Sequence, residues 1–378
     1  YNLNSKNVGQ DQTTQIVSSV ASWFKQNNPS TYKDYDTNGD GYLDAIVLIY
    51  AAPDYSTSGS SNDNLWAYCY WMQQNPGTAT NPVPNVFFWA SYDFMYSRSD
   101  TNSGGYGGGD TSHCNLDTHT FIHEMGHIFG LNDYYDYNKG YSASAGFSMQ
   151  DYNVGGHDPF SKMALDWIEP YVPTDTITLN IKPLETDGDV IILSPKYTGS
   201  AFDEYIMIEL YTPLGLNKFD SDYKYENYYP QGPSSAGCRV WHVDSRLASY
   251  NTSTRSFVLE TNPAILSTKY YTNAFTNSTW KSSTDGRGSI LATSSTDAYA
   301  KYRQLQLIRK NYTTDEKCGD TLNTNALFKT GDTFDMATTY KNCFVNKGKL
   351  NNGQALGFSV HFDSVSMSGA TITITNKD

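Results

Sequence analysis

After Pro170-Tyr171-Val172-Pro173 the chain changes texture, and this change limits its fold more than any other feature. Alternating segments dominate from there on: Val190-Ile191-Ile192-Leu193, Tyr205 to Leu210, Arg239-Val240-Trp241-His242-Val243 and Phe358-Ser359-Val360-His361-Phe362. A period of two places alternate side chains on opposite faces of a strand. Ser368-Gly369 followed by Thr371-Ile372-Thr373-Ile374-Thr375 reads as the turn and second arm of a hairpin. Residues 173–378 are therefore expected to form an all-β region of sandwich type. Residues 1–172, or to about 250 if the first strands belong with them, are expected to form a separate domain, which makes the chain α+β.

The first part mixes two periods. Residues 11–26 carry Ile16, Val20, Trp23 and Phe24 at helical spacing, and Asn27-Asn28-Pro29 ends the run. Ala45-Ile46-Val47-Leu48-Ile49-Tyr50 reads as a buried strand and Val86-Phe87-Phe88-Trp89 as another. Polar loops are expected over 53–64 and 73–85, and a Gly-rich loop over 102–112. A helix follows from Thr118 to Phe129, with Asp117 as its N-cap and Phe121, Ile122, Met125, Ile128 and Phe129 as its core stripe. Gly130 can take the left-handed conformation that stops it. Pro159 opens a second helix that runs to Trp167. No internal repeat is present.

The first of these helices carries His123-Glu124-Met125-Gly126-His127. Two imidazoles four residues apart share one helix face, and this HExxH pattern lets both reach one zinc ion while the Glu holds an attacking water. A hydrolytic zinc site needs a third protein ligand and an open position. Gly130 permits a sharp turn, and Asp133 then stands at the offset where metzincins place a third His. Asp136, His157 and Asp158 are rivals for that place. Glu124 is the expected general base. Metzincins set a Met in a tight turn beneath the zinc, and Met149 within Ser148-Met149-Gln150-Asp151-Tyr152 is its counterpart here. Tyr152 is the expected donor to a developing oxyanion, with Tyr134 and Tyr135 competing. His113 and His119 read as surface or capping residues and His242 as structural.

A second segment has metal-ligand spacing. Asp36-Thr37-Asn38-Gly39-Asp40-Gly41-Tyr42-Leu43-Asp44 presents oxygens at positions 1, 3, 5 and 9 of a calcium loop, with Gly at 6 and the Tyr42 carbonyl at 7. Val47 stands where such a loop has its bidentate Glu, so a bound Ca2+ would need another oxygen or water. A solvated Asp/Asn/Gly turn without an ion is the plain alternative.

Composition narrows the partners. The formal net charge of -13 argues against nucleic acid and anionic membrane as partners. No apolar run reaches transmembrane length. Charged residues are 17%, below the usual quarter, so Asn, Ser, Thr, Gly and 31 Tyr must supply the polar surface, a blend suited to an extracellular protein. The five Cys contain no CxxC pair, and Cys318 and Cys343 bracket a polar loop they could bridge. A chain beginning at Tyr1 suggests a removed signal and pro-segment. The expected partners are protein or peptide substrates.

Several stretches together resemble the secreted zinc metallopeptidases typified by bacterial immune inhibitor A. They are Asp36 to Tyr50, His123 to Tyr135 with its Gly-Leu-x-Asp-x-Tyr tail, Pro159 to Trp167, Glu204 to Glu209, and Val240-Trp241-His242-Val243-Asp244. The similarity covers roughly residues 10–250 and is most specific in the zinc segment. It implies a secreted, zymogen-derived endopeptidase of metzincin type with a β-sandwich behind the catalytic domain, and it supports Asp133 as third ligand. Asp166 stands where that family usually has Gly before Trp, and residues 251–349 match none of its pattern.

Overall fold

The computed structural model describes residues 10–51, 66–72, 74–98, 114–116, 118–137, 144–222, 230–260, 271–278, 289–293, 297–311 and 324–377. The loops expected at 53–64 and 102–112, together with His113, Asp117 and Cys318, lie outside the described residues. Two compact units divide the chain, Tyr1–Leu131 and Asn132–Asp378.

In the first unit, helix α1 (Gln10–Asn27) is followed by strands β1 (Ile46–Tyr50), β2 (Tyr68–Trp71) and β3 (Val86–Ser91). The sheet order is β1-β3-β2, with β1 parallel and β2 antiparallel to β3. Alternation along β3, which is buried throughout, serves two faces. Phe87 and Trp89 pack with Ile16 and Val17 of α1. Phe88 and Ala90 pack with Phe121, Met125 and Ile128 of helix α2 (His119–Ile128). Strands β4 (Tyr96–Arg98) and β5 (Cys114–Leu116) form a separate antiparallel pair.

Three expectations for this unit are corrected. Val20 and Trp23 are exposed, because the stripe α1 buries runs through Thr13, Ile16, Val17 and Ala21. Strand β1 lies at the sheet edge and exposes Val47 and Ile49, so it is not a buried strand. Phe129 caps α2 beyond its last full turn and is exposed, outside the core stripe.

The second unit begins with helix α3 (Pro159–Ala164) and strands β6 (Ile177–Ile181), β7 (Val190–Leu193) and β8 (Glu204–Tyr211). Helix α4 (Leu216–Asp222) and strands β9 (Gly237–Asp244), β10 (Leu247–Asn251), β11 (Ser256–Leu259), β12 (Tyr271–Asn273) and β13 (Leu305–Ile308) come next. Strands β14 (Thr333–Asp335), β15 (Phe358–Val365) and β16 (Ala370–Asn376) close the unit. One antiparallel sheet has the order β13-β9-β8-β7, a second β14-β15-β16-β6, and a third, smaller one β11-β10-β12.

The first of these sheets is covered on both faces, which is why β7, β8 and β9 are buried along their whole length. Ile191, Ile206, Ile208 and Val240 meet Phe334, Val360, Ile372 and Ile374 of the second sheet. On the opposite face Val190, Met207, Trp241 and Leu305 meet Tyr134, Phe147, Val154, Phe160 and Met163. Residues 132–172 thus supply the outer layer of the second unit. The change of texture at Val172-Pro173 marks where the strands of the second unit begin; that unit begins earlier, at Asn132.

The expected α+β class with a metzincin-like catalytic domain is overturned. Among the described residues the four helices have 18, 10, 6 and 7 residues, and sixteen strands in mainly antiparallel sheets carry the fold. The second predicted helix is short for a visible reason. Asp158 caps α3 by accepting from Ser161 N, and after Leu165 the backbone turns left-handed at Asp166, φ 59°. Before it, residues 144–157 fold as turns. Asp151 accepts from Ser144 Oγ and from Gly146 N (2.9 Å), Asp220 from Gly155 N (2.6 Å), and Asn217 Oδ1 from Gly156 N (2.9 Å). Side chains that engage backbone N–H groups this way offer the chain an alternative to helix.

Several polar groups inside the second unit are paired. Arg239 Nε lies 2.6 Å from Glu209, and its guanidinium sits over the rings of Phe147, Tyr211 and Trp241. His242 Nε2 lies 2.9 Å from Glu204. Buried tyrosine rings carry their hydroxyls to backbone acceptors: Tyr205 to Ala201 O (2.9 Å), Tyr211 to Pro233 O (2.9 Å) and Tyr340 to Lys310 O (3.0 Å). Cys343 is buried between the two larger sheets, and the partner expected for it, Cys318, lies outside the described residues. Among the described residues no helix is long and apolar enough to cross a membrane.

Candidate metal centre

Helix α2 presents His123 and His127 one turn apart and ends in a Schellman motif. Gly130 N donates to His127 O (2.9 Å) and Leu131 N to Gly126 O (3.0 Å), with Gly130 at φ 96°. Only glycine adopts that backbone at low cost. The turn brings Leu131 O to 2.8 Å from His127 Nδ1. A carbonyl can only accept, so Nδ1 carries the proton and the Nε2 lone pair is left as donor. The two Nε2 atoms are 3.1 Å apart. Two nitrogens at about 2.0–2.1 Å from one tetrahedral zinc would stand roughly 3.3–3.4 Å apart, so the pair is close to ligating geometry.

Asp133 completes the group. Ligand atoms of His123, His127 and Asp133 all lie within 4.8 Å of one another, and this is the one such His/Cys/Asp/Glu group among the described residues. The backbone on both sides of Asp133 is anchored within the second unit. Asn132 Nδ2 donates to Gln304 (3.1 Å), Tyr134 N to Gln150 O (2.7 Å), and Asn277 Nδ2 to Tyr134 O (3.1 Å). The donor set of two imidazoles and one carboxylate suits zinc. Glu124 lies beside the pair in sequence and is buried, 7% exposed.

The rival ligands do not join. Asp158 is fully buried and accepts from Ser161 N and from the hydroxyls of Ser148 and Ser161 at 2.8–2.9 Å. His157 packs edge-on to Trp167, and Asp136 is outside the group. The competing tyrosines also separate. Tyr134 is fully buried with its hydroxyl 3.0 Å from Ser161 Oγ, and burial, reinforced by nearby Asp158, pushes its ionisation well above the usual tyrosine value. It is a core residue, out of a substrate's reach. Tyr152 is half-buried and stacks on Tyr135 at 6.3 Å. Met149 is buried in its turn, its N–H directed to Gly156 O (3.3 Å). His119 is the first residue of α2 and is half-buried.

One contact escaped the sequence. Tyr137 donates its hydroxyl to Asp133 Oδ2 at 2.5 Å. Among 31 tyrosines nothing in the spacing singles it out.

The acidic turn uses its oxygens differently. Asp36 accepts from Asp40 N (3.1 Å) and Gly41 N (2.9 Å), Asn38 Oδ1 from Asp40 N (3.1 Å), and Asp40 Oδ1 from Tyr42 N (2.9 Å). Asp44 accepts from Thr37 N at 3.2 Å, and the Tyr42 hydroxyl donates to Gln74 O (2.6 Å). Asp36, Asp40 and Asp44 do not converge as a carboxylate group of the kind formed around His123. The turn closes on its own backbone.

No protein-family model matches this chain, and no curated protein and no solved structure is significantly similar to it.

Proposed function

We propose that this protein is a secreted zinc endopeptidase in which His123, His127 and Asp133 hold the ion and Glu124 is the general base. The observation that carries the reading is the approach of the two Nε2 atoms to 3.1 Å, with Asp133 within ligand reach and a Glu between the histidines in sequence. A zinc ion held there would polarise a peptide carbonyl and make water more acidic.

The residues supply the rest. Leu131 O fixes the His127 tautomer, so that imidazole enters as a neutral donor with a set ring angle. Glu124 is buried beside the two histidines in sequence and is the one carboxylate between them. In hydrolysis it takes a proton from the attacking water and returns it to the leaving amine, so the carboxylate is regenerated each turnover. The resemblance to secreted metallopeptidases adds export and zymogen processing to this reading.

The test is direct. Purified protein should bind one equivalent of zinc, cleave casein and lose that activity with a chelator. Glu124→Gln should retain the zinc and lose the cleavage. A Glu124→Gln variant as active as the parent would refute the mechanism, and a parent with zinc but no cleavage would favour a non-catalytic surface protein that retains a metal site.

A further inference from the structure

We propose, resting on the zinc reading above, that Asn277 is a positioning residue for the metal centre: its buried side-chain amide ties the backbone next to Asp133 to the edge strand β13. Asn277 lies in the stretch 251–349, where the resemblance to secreted metallopeptidases has no counterpart.

Among the described residues β13 ends the sheet order β13-β9-β8-β7. Leu305 is registered with Val243, and Asp244 N donates to Gln304 O (2.9 Å). Successive residues of a strand direct their N–H and C=O groups to opposite sides. Those of Leu305 therefore face away from β9, off the sheet edge. Asn277 meets both of them. Its Nδ2 donates to Leu305 O (2.7 Å), and its Oδ1 accepts from Leu305 N (3.1 Å). The amide fills the place a neighbouring strand would take. An amide nitrogen has two N–H donors, and the same Nδ2 also donates to Tyr134 O (3.1 Å). Asn277 is 2% exposed, so these bonds are made away from water.

Tyr134 directly follows the third ligand and is held at three points. Its O accepts from Asn277, its N donates to Gln150 O (2.7 Å), and its hydroxyl is 3.0 Å from Ser161 Oγ. Asn132, on the other side of Asp133, donates to Gln304, the neighbour of Leu305 (3.1 Å). The ligand segment is thus tied on both sides of Asp133 to one short stretch of chain, residues 304–305. Asn277 is itself presented by a fixed segment. Ala274 N donates to Arg246 O (2.8 Å), Phe275 meets Tyr302 edge-on at 5.3 Å, and the hydroxyls of Thr276 and Ser278 are 2.9 Å apart. A ligand backbone ordered before the ion arrives loses less freedom on binding it.

The experiment compares the full-length parent with Asn277→Ala, using zinc alone in competition with a chelator and cobalt(II) alone as a spectroscopic probe. Asn346→Ala is the matched control: Asn346 Nδ2 donates to Leu350 O and Asn351 O, both at 3.0 Å, so it loses a similar tie elsewhere in the unit. Both variants should melt below the parent when free of metal. Only Asn277→Ala should bind zinc more weakly, by about 10-fold, the lower end of what outer partners contribute. Its cobalt visible bands should move, and those of Asn346→Ala should not. A folded Asn277→Ala with the parent's affinity overturns the proposal. So does an equal loss in Asn346→Ala, which would make the effect a general loosening. Should Asn277→Ala not fold, Asn277→Ser is read in the same way. Failure of both to fold also overturns the proposal, because Asn277 would then hold the unit and not the site. A parent that takes up neither metal overturns the zinc reading and this proposal with it.

Discussion

The segments His123–Asp133 and Asp36–Asp44 have similar ingredients. Each is a short stretch dense in metal-ligating side chains, and each turns on a left-handed glycine, Gly130 at φ 96° and Gly41 at φ 86°. They spend those ingredients in opposite ways. The first holds its imidazoles on a helix, so the backbone is already satisfied and the ring nitrogens are directed at one another. The second has no regular structure, and its carboxylates serve the backbone amides of the turn. Ligand spacing in a sequence therefore says little until the fate of the local N–H groups is known.

Substitutions should pull the two segments apart. His127→Ala should have the largest effect, lowering zinc affinity by more than about 100-fold, beyond what an outer partner contributes. Chelator competition would measure it, and circular dichroism should show an unchanged fold. Glu124→Gln should leave zinc in place and reduce casein cleavage by about 10²–10⁴, the span of a general base.

In the acidic turn the readout shifts to stability. Gly41→Ala should destabilise by roughly 2–4 kcal/mol, since the left-handed backbone penalty is joined by a clash: its Cβ would stand 2.8 Å from Gly77 O. Asp36→Ala should cost about 1–3 kcal/mol by stranding the buried N–H of Gly41, since Asp40 N keeps Asn38 Oδ1 as an acceptor. Denaturant titration with and without calcium tests the contrast itself. A cost that appears only in calcium would turn this segment into an ion site and break the comparison. The smallest effect belongs to Gly130→Ala. Nothing lies within 4 Å of a Cβ there, so only the backbone term, about 1 kcal/mol, should register.

The residues explain what sequence can and cannot reveal. Strands β15 and β16 and the stop of α2 are legible because period two and a helix-ending glycine are local signals. The layer formed by residues 132–172 is not, because its apolar residues are scattered through turns and declare themselves only against the sheet they cover. Val20, Trp23 and Phe129 read as buried from sequence, since an apolar side chain at helical spacing does not reveal how wide the buried stripe is. At the site, His123, Glu124, His127 and Asp133 stand out by spacing, whereas Tyr137 meets Asp133 across a non-helical turn that has no characteristic offset. At the end of α3 Asp166 takes the left-handed position, φ 59°, between hydrogen bonds Asp166 N–Met163 O (3.0 Å) and Trp167 N–Lys162 O (2.9 Å).

The tyrosine hydroxyls sealed in the interior make the molecule an indicator of its own alkaline unfolding. Burial lifts Tyr211 and Tyr340 to about 12 and raises Tyr134 and Tyr205 well above the 10 of a tyrosine in the open chain. Below pH 10 both folded and unfolded chains keep these protons, and the hydroxyls favour the fold in full. Between pH 10 and 12 only the unfolded chain releases them, so stability drains away as pH rises. Phenolate absorbance should therefore climb in two stages: surface rings first, along an ordinary titration curve, then the interior set in one abrupt step as the sheets come apart.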